Sequence, residues 1–186
     1  MLNDELPSRI LAILFAAPEP VTLEQMAQVF PDQDPDGLAQ LIEELAAAFN
    51  AAQGAVEIRR IAGGWRISTR PQHHECIREY LKTRPGSRLT PAALETLAVI
   101  AYKQPVTLPE IMEIRGVKGS TTIRTLLEKK LIEPKGRKQV VGRPILYGTT
   151  QEFLIRFGLN DLSELPSLSE FEELVGGEQA GNPVSG

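Results

Sequence analysis

The chain has 186 residues, 42% of them hydrophobic, and a formal net charge of −4, enough for two small cores of roughly 70 to 80 residues each. No apolar run approaches the ~18 residues of a membrane span, the start Met1-Leu2-Asn3-Asp4-Glu5 lacks the basic residues of a secretory signal, and Cys76, standing alone, excludes an internal disulfide. No membrane contact is expected, and the expected location is the cytoplasm, whose reducing conditions suit an unpaired thiol.

The first predicted helix centres on the apolar run 10–17 and ends at a turn, Pro18-Glu19-Pro20. Thr22 then opens a second helix with Gln25 three residues on, the spacing at which a threonine hydroxyl and an N3 side chain satisfy two orphan backbone donors. Asp34-Pro35 provides a cap and an N1 proline for a third helix, with Leu38, Leu41, Ile42 and Leu45 in one stripe. Residues 56–61 and 65–69 alternate with period two around Ala62, Gly63 and Gly64, a hairpin whose glycines are expected to supply positive φ. Residues 84–89, with Arg84-Pro85-Gly86-Ser87, read as a linker.

The same order then recurs. The run 94–104 ends at Pro105, and Pro105-Val106-Thr107-Leu108 answers Pro20-Val21-Thr22-Leu23, with Glu110 in the place of Gln25. A third helix is predicted over 121–131, with Ile123, Leu126 and Leu127 inward, and strands over 131–134 and 144–150. Helix, helix, helix, hairpin is the winged-helix plan. The predicted fold class is therefore α+β, mainly helical, with two tandem winged-helix domains at 1–83 and 90–160. A flexible acidic tail over 161–186 completes the chain.

Charge separates the copies. Residues 1–83 carry a net charge of −5, 84–159 of +7 and 160–186 of −6. The first copy's third helix and its approach hold Asp32, Asp34, Asp36, Glu43 and Glu44 without a Lys or Arg, so phosphates would repel it from a major groove. Its surplus of apolar positions, including Leu14, Leu41 and Leu45, instead marks a dimerisation surface, with filling of its own core as the alternative. In the second copy Lys129, Lys130, Lys135, Arg137 and Lys138 form a candidate basic surface. Ile145 and Tyr147 share one face of the last strand and Leu146 takes the other. Arg143, Ile145 and Tyr147 are accordingly candidate partner-binding residues unless the chain's own helix covers that face.

No phosphate loop, dinucleotide fingerprint or nucleophile elbow occurs, and His73 and His74 are the only histidines. With Cys76 they fall in one predicted helix and lack a fourth ligand, so no catalytic residue, metal or cofactor is expected. The run 89–105, the stretch Ile123-Arg124-Thr125-Leu126-Leu127-Glu128, Gly136-Arg137-Lys138, the segment 142–150 from Gly142-Arg143-Pro144 to Thr149-Thr150, and the segment 153–166 closely resemble the segregation and condensation protein B (ScpB) family of bacterial condensin-like complexes. Where that family is expected to carry an acidic cap before the third helix, this chain has Val117-Lys118-Gly119-Ser120.

The resemblance implies a non-enzymatic subunit that forms a homodimer through its N-terminal module and binds the kleisin ScpA. Through the kleisin it would meet the SMC ATPase, so that its association with DNA and the nucleoid is mainly indirect. The rival reading is a winged-helix transcriptional regulator, with Thr122, Arg124 and Thr125 entering the major groove.

Overall fold

The computed structural model describes residues 5–82, 89–116 and 120–167. In the first half, α1 (Glu5–Ala16), α2 (Leu23–Val29) and α3 (Pro35–Ala51) precede a hairpin of β1 (Val56–Ile61) and β2 (Gly64–Thr69). Both capping predictions hold. The Thr22 hydroxyl accepts from Gln25 N–H at 3.3 Å while Gln25 Oε1 accepts from Thr22 N–H at 2.9 Å, and Asp34 accepts from Gly37 N–H at 2.8 Å. Ile10, Leu14, Met26, Leu38, Ile42, Ile58 and Trp65 form the core beneath.

The hairpin turn differs in detail from the prediction. Ile61 pairs with Gly64, so the loop is the two residues Ala62 and Gly63, with φ of 51° and 80° as a tight primed turn needs. Gly64 lies in the strand for another reason: a Cβ there would stand 2.8 Å from the Val21 carbonyl oxygen. That approach carries an isolated bridge in which Val21 and Trp65 exchange two N–H···O bonds of 2.9 Å. A 3₁₀ turn (Pro71–His73) and α4 (His74–Lys82) close this half. His73 therefore lies outside the helix that holds His74 and Cys76, which corrects the single helix expected for all three.

In the second half α5 (Pro91–Lys103), β3 (Val106–Thr107), α6 (Leu108–Arg115), α7 (Ser120–Glu128), β4 (Ile132–Arg137), β5 (Ile145–Thr149) and α8 (Gln151–Phe157) come in turn. The sheet runs β3-β5-β4, with both pairings antiparallel. Sequence patterning missed β3, a two-residue strand that is the counterpart of the Val21 bridge. It also carried α7 too far. The helix stops at Glu128 because Lys130 turns left-handed at φ 56°, Leu131 N–H reaches back to Leu126 O and Lys130 N–H to Leu127 O, so that Leu131 turns in to a fully buried position.

Leu97, Ile100, Ile111, Ile123, Leu126, Leu131, Tyr147 and Phe153 make the second core. Between the halves, Ala62 N–H donates to Leu159 O at 2.9 Å, Gly63 N–H to Asn160 Oδ1 at 3.0 Å and Arg59 Nη2 to Gly158 O at 3.2 Å. The predicted linker falls largely, and the tail beyond Ser167 entirely, outside the described residues.

Candidate partner-binding surfaces

Arg143, Ile145 and Tyr147 were expected as partner-binding residues unless the chain's own helix covered that face, and the structure separates them. Tyr147 is a core residue, 9% exposed, and Ile145 is half-buried against the same core. Alternation sends both side chains inward, where the apolar surface of α5 and α6 is available to bury them. Tyr147 is thus corrected from a surface contact to a packing residue. Arg143 is exposed in the turn, with φ 40°, and its carbonyl accepts from Arg137 Nη1 at 3.0 Å. Val140 and Val141 stand exposed at the same wing tip.

The basic candidates are in large part engaged locally. Lys135 pairs with Glu133 and Lys138 with Glu110, both at 2.5 Å, while Arg137 is turned to the Arg143 carbonyl. Lys129 and Lys130 make no ion pair among the described residues. Lys130 follows the C-terminus of α7 in the position that closes its last turn, where a cation meets the negative end of the helix dipole.

Glu110 sits where this network meets the α6 cap. The Lys138 ammonium bonded to it, then the Thr107 hydroxyl and N–H, hold its carboxyl at a pKa of about 2. On α7, Arg124 pairs with Glu128 at 2.8 Å and Thr125 donates to Thr121 O at 3.2 Å, so two of the groups named for base reading are turned onto their own helix.

In the first half Leu14 is buried, 2% exposed, and belongs to the core instead of a dimerisation surface. Position 14 lies one turn from Ile10 on the inward face of α1, so it packs into the first core. Leu41 and Leu45 are half-buried on the core's margin, whereas Phe15 is 81% exposed. The acidic third helix has internal work. Glu43 accepts from Trp65 Nε1 at 3.1 Å and from Arg60 at 2.9 Å, and the Arg60 guanidinium lies 4.4 Å above the Trp65 ring centre.

Sequence reasoning missed a groove of about 600 Å³ between α5 and α8, lined almost wholly by apolar atoms, among them Leu94, Tyr102, Phe157 and Leu165. Leu94, Tyr102 and Phe157 are each more than a third exposed at 45%, 39% and 44%. The available signal was a run of apolar residues on α5 wider than one core-facing stripe needs.

Several residues of the family-like motifs prove to be joints. Thr96, fully buried, donates to Ala92 O at 2.8 Å and accepts from Arg115 Nη1 at 2.7 Å, while Arg115 Nη2 pairs with Glu95 at 2.8 Å. Gln104 Oε1 accepts from Thr149 N–H at 2.7 Å and from its hydroxyl at 3.0 Å, tying the end of α5 to β5.

Comparison with known proteins agrees with this reading along nearly the whole chain. The family profile described as segregation and condensation complex subunit ScpB matches residues 8–168. A segregation and condensation protein B from Desulforamulus reducens is 47% identical over 178 residues, 96% of each chain. One from Syntrophotalea carbinolica is 48% identical over 92% of this chain and 86% of its own. Among solved structures, ScpB from Mycobacterium tuberculosis is 33% identical, with 84% of this chain and 96% of that one covered at a TM-score of 0.40. A match of this extent and identity decides the family, and the chain belongs to the segregation and condensation complex subunits of the ScpB type.

Proposed function

We propose that the chain serves its condensin-type complex as a homodimeric adaptor built from two tandem winged-helix domains, 1–83 and 90–160. Family membership makes it a non-enzymatic subunit acting in chromosome segregation and condensation, and sets the transcriptional-regulator reading aside. The observation that carries the adaptor reading is the repeated order of three helices and a hairpin, with a matching capping box in each half.

In this reading the first half dimerises through the margin of Leu41 and Leu45 with exposed Phe15, and the second half holds the kleisin ScpA. Arg143 and the edge of Ile145 are the accessible candidates there. The SMC ATPase is reached through the kleisin, and the protein works in the cytoplasm on the nucleoid. Among the described residues no helix is long and apolar enough to cross a membrane. Lys129, Lys130, Lys135, Arg137 and Lys138 contribute at most weak, sequence-independent attraction to DNA, because Glu133 and Glu110 already neutralise two of them.

Calorimetry of the full chain against the central segment of the kleisin encoded in the same genome, with light scattering of the free chain, tests this. Expected are saturable binding and a dimer mass at micromolar concentration. A chain that is monomeric throughout and takes up no heat with the segment would overturn the adaptor reading.

A further inference from the structure

The α5/α8 groove opens beside the place where the described chain ends. Leu165 is one of its lining residues, and the next residue, Pro166, offers its carbonyl to the Tyr102 hydroxyl at 2.6 Å. The chain is therefore tethered to the rim, and the residues beyond the tether are delivered to the groove at high effective concentration. They include Leu168-Ser169-Glu170-Phe171-Glu172-Glu173-Leu174-Val175. Written as a helix this stretch places Leu168, Phe171, Leu174 and Val175 on one side, at i, i+3, i+6 and i+7, and its three glutamates elsewhere.

Length and charge agree with the chemistry. A helix of eight residues is about 12 Å long, the same distance that separates Leu94 from Tyr102 along α5. Its carboxylates would face a half whose segment 84–159 carries a net charge of +7. From these observations we propose that the α5/α8 groove is the docking site of the chain's own residues 168–175, with Phe171 and Leu174 as the anchors. This covers Leu94, Tyr102 and Phe157 within one molecule and assigns the acidic tail a packing role, separate from dimerisation and from kleisin binding.

The test uses the full chain with Cys76→Ser, so that a nitroxide can be attached at Glu172→Cys alone, and methyl-labelled leucine and valine for NMR. Spin-label broadening should remove more than half the signal of Leu94, Leu97 and Val99 and leave Leu14 and Leu38 in the first half unchanged. Adding Phe171→Ser with Leu174→Ser to the labelled chain should restore those signals. Three results would overturn the proposal. Broadening that persists in the double variant means these anchors do not hold the segment. Broadening of the same strength on isotope-labelled chains that carry no nitroxide, when they are mixed with spin-labelled chains that carry no isotope, gives the groove to a second copy. Full signal at α5 in every sample leaves it to a partner protein.

Discussion

The two halves share an order of elements and differ in how each is closed. In the first, a 17-residue α3, a two-stranded hairpin and the isolated Val21 bridge make the core without any residue of α4, and the hairpin is fastened to α3 through Glu43, Arg60 and Trp65. In the second, α7 has nine residues, and the deficit is made up by a third strand, by α8 and by the polar joints at Thr96 and Gln104. A long third helix brings its own apolar stripe, whereas a short one leaves core surface that added elements must cover. The same additions create a groove, so the half that needed more pieces is also the half that retains an open apolar face.

The largest effects come from truncating the two cores, which shows how far the halves stand as separate units. Ile42→Ala and Leu126→Ala each remove a fully buried branched side chain and should each cost about 2–5 kcal/mol. Trp65, the one tryptophan, lies in the first core and reports on it alone. In urea unfolding, Ile42→Ala should lower the midpoint seen by tryptophan fluorescence. Leu126→Ala should lower the midpoint of the second half's circular dichroism transition while the fluorescence midpoint stays nearly fixed. Equal movement of the fluorescence midpoint by both variants would mean that the contacts of Ala62 and Gly63 with Leu159 and Asn160 bind the halves into one cooperative unit.

What could be read from the sequence was what depends on neighbours three or four residues away. The caps at Thr22, Asp34 and Thr107 all form the bonds their spacing predicts. The β-hairpin of the first half and both apolar stripes are of the same kind. The errors lie where distant segments decide the outcome. Burial of Leu131 ends α7 early at a left-handed Lys130, and only the approach of the 104–107 turn to β5 makes β3 a strand. For the candidate site the legibility was poorer. Periodicity named Leu14 and Tyr147 as apolar and at regular spacing, which holds for core and for interface alike, and the structure puts both in the core. The groove needed α5 and α8 to be brought together before it existed.

Gly64 and Gly148 offer a smaller and sharper comparison, since neither has the positive φ that would explain a glycine. A Cβ at Gly64 would meet the Val21 backbone at 2.8 Å, while one at Gly148 would meet side-chain atoms of Gln104 and Lys135 at 2.9 Å. Backbone in a bridge cannot withdraw, but a lysine stem can and a glutamine can give up part of its bonding. Gly64→Ala should therefore cost about 1–3 kcal/mol, as overpacking does, and Gly148→Ala roughly 1 kcal/mol from the weakened Gln104 bonds to Thr149. Chemical denaturation of both variants decides it, and an equal or reversed order would show that the Val21 bridge yields more easily than its bonding suggests.

The smallest effect separates the two capping boxes by pH. Thr22 is answered by Gln25, which does not titrate, whereas Thr107 is answered by Glu110, whose carboxyl also takes the Lys138 ammonium. The Glu110 pKa is depressed from 4.5 to about 2, so the carboxylate form is favoured by folding. Its contribution is fully present above the unfolded value near 4.5 and is lost as pH falls from there toward 2. Acid in that window should loosen the start of α6 while the start of α2, with its neutral partner, is untouched. Carboxyl-detected NMR titration should place Glu110 near 2 in the native chain and distinctly higher in Lys138→Met, yet still below 4.5, because the Thr107 hydroxyl and N–H continue to bond the anion. Glu110→Gln should make the second box behave as the first does, with amide protection at the start of α6, relative to the intrinsic exchange rate, no longer changing between those pH values. If Lys138→Met leaves the titration where it was, the ammonium is a solvated neighbour and the threonine alone sets the carboxyl's acidity.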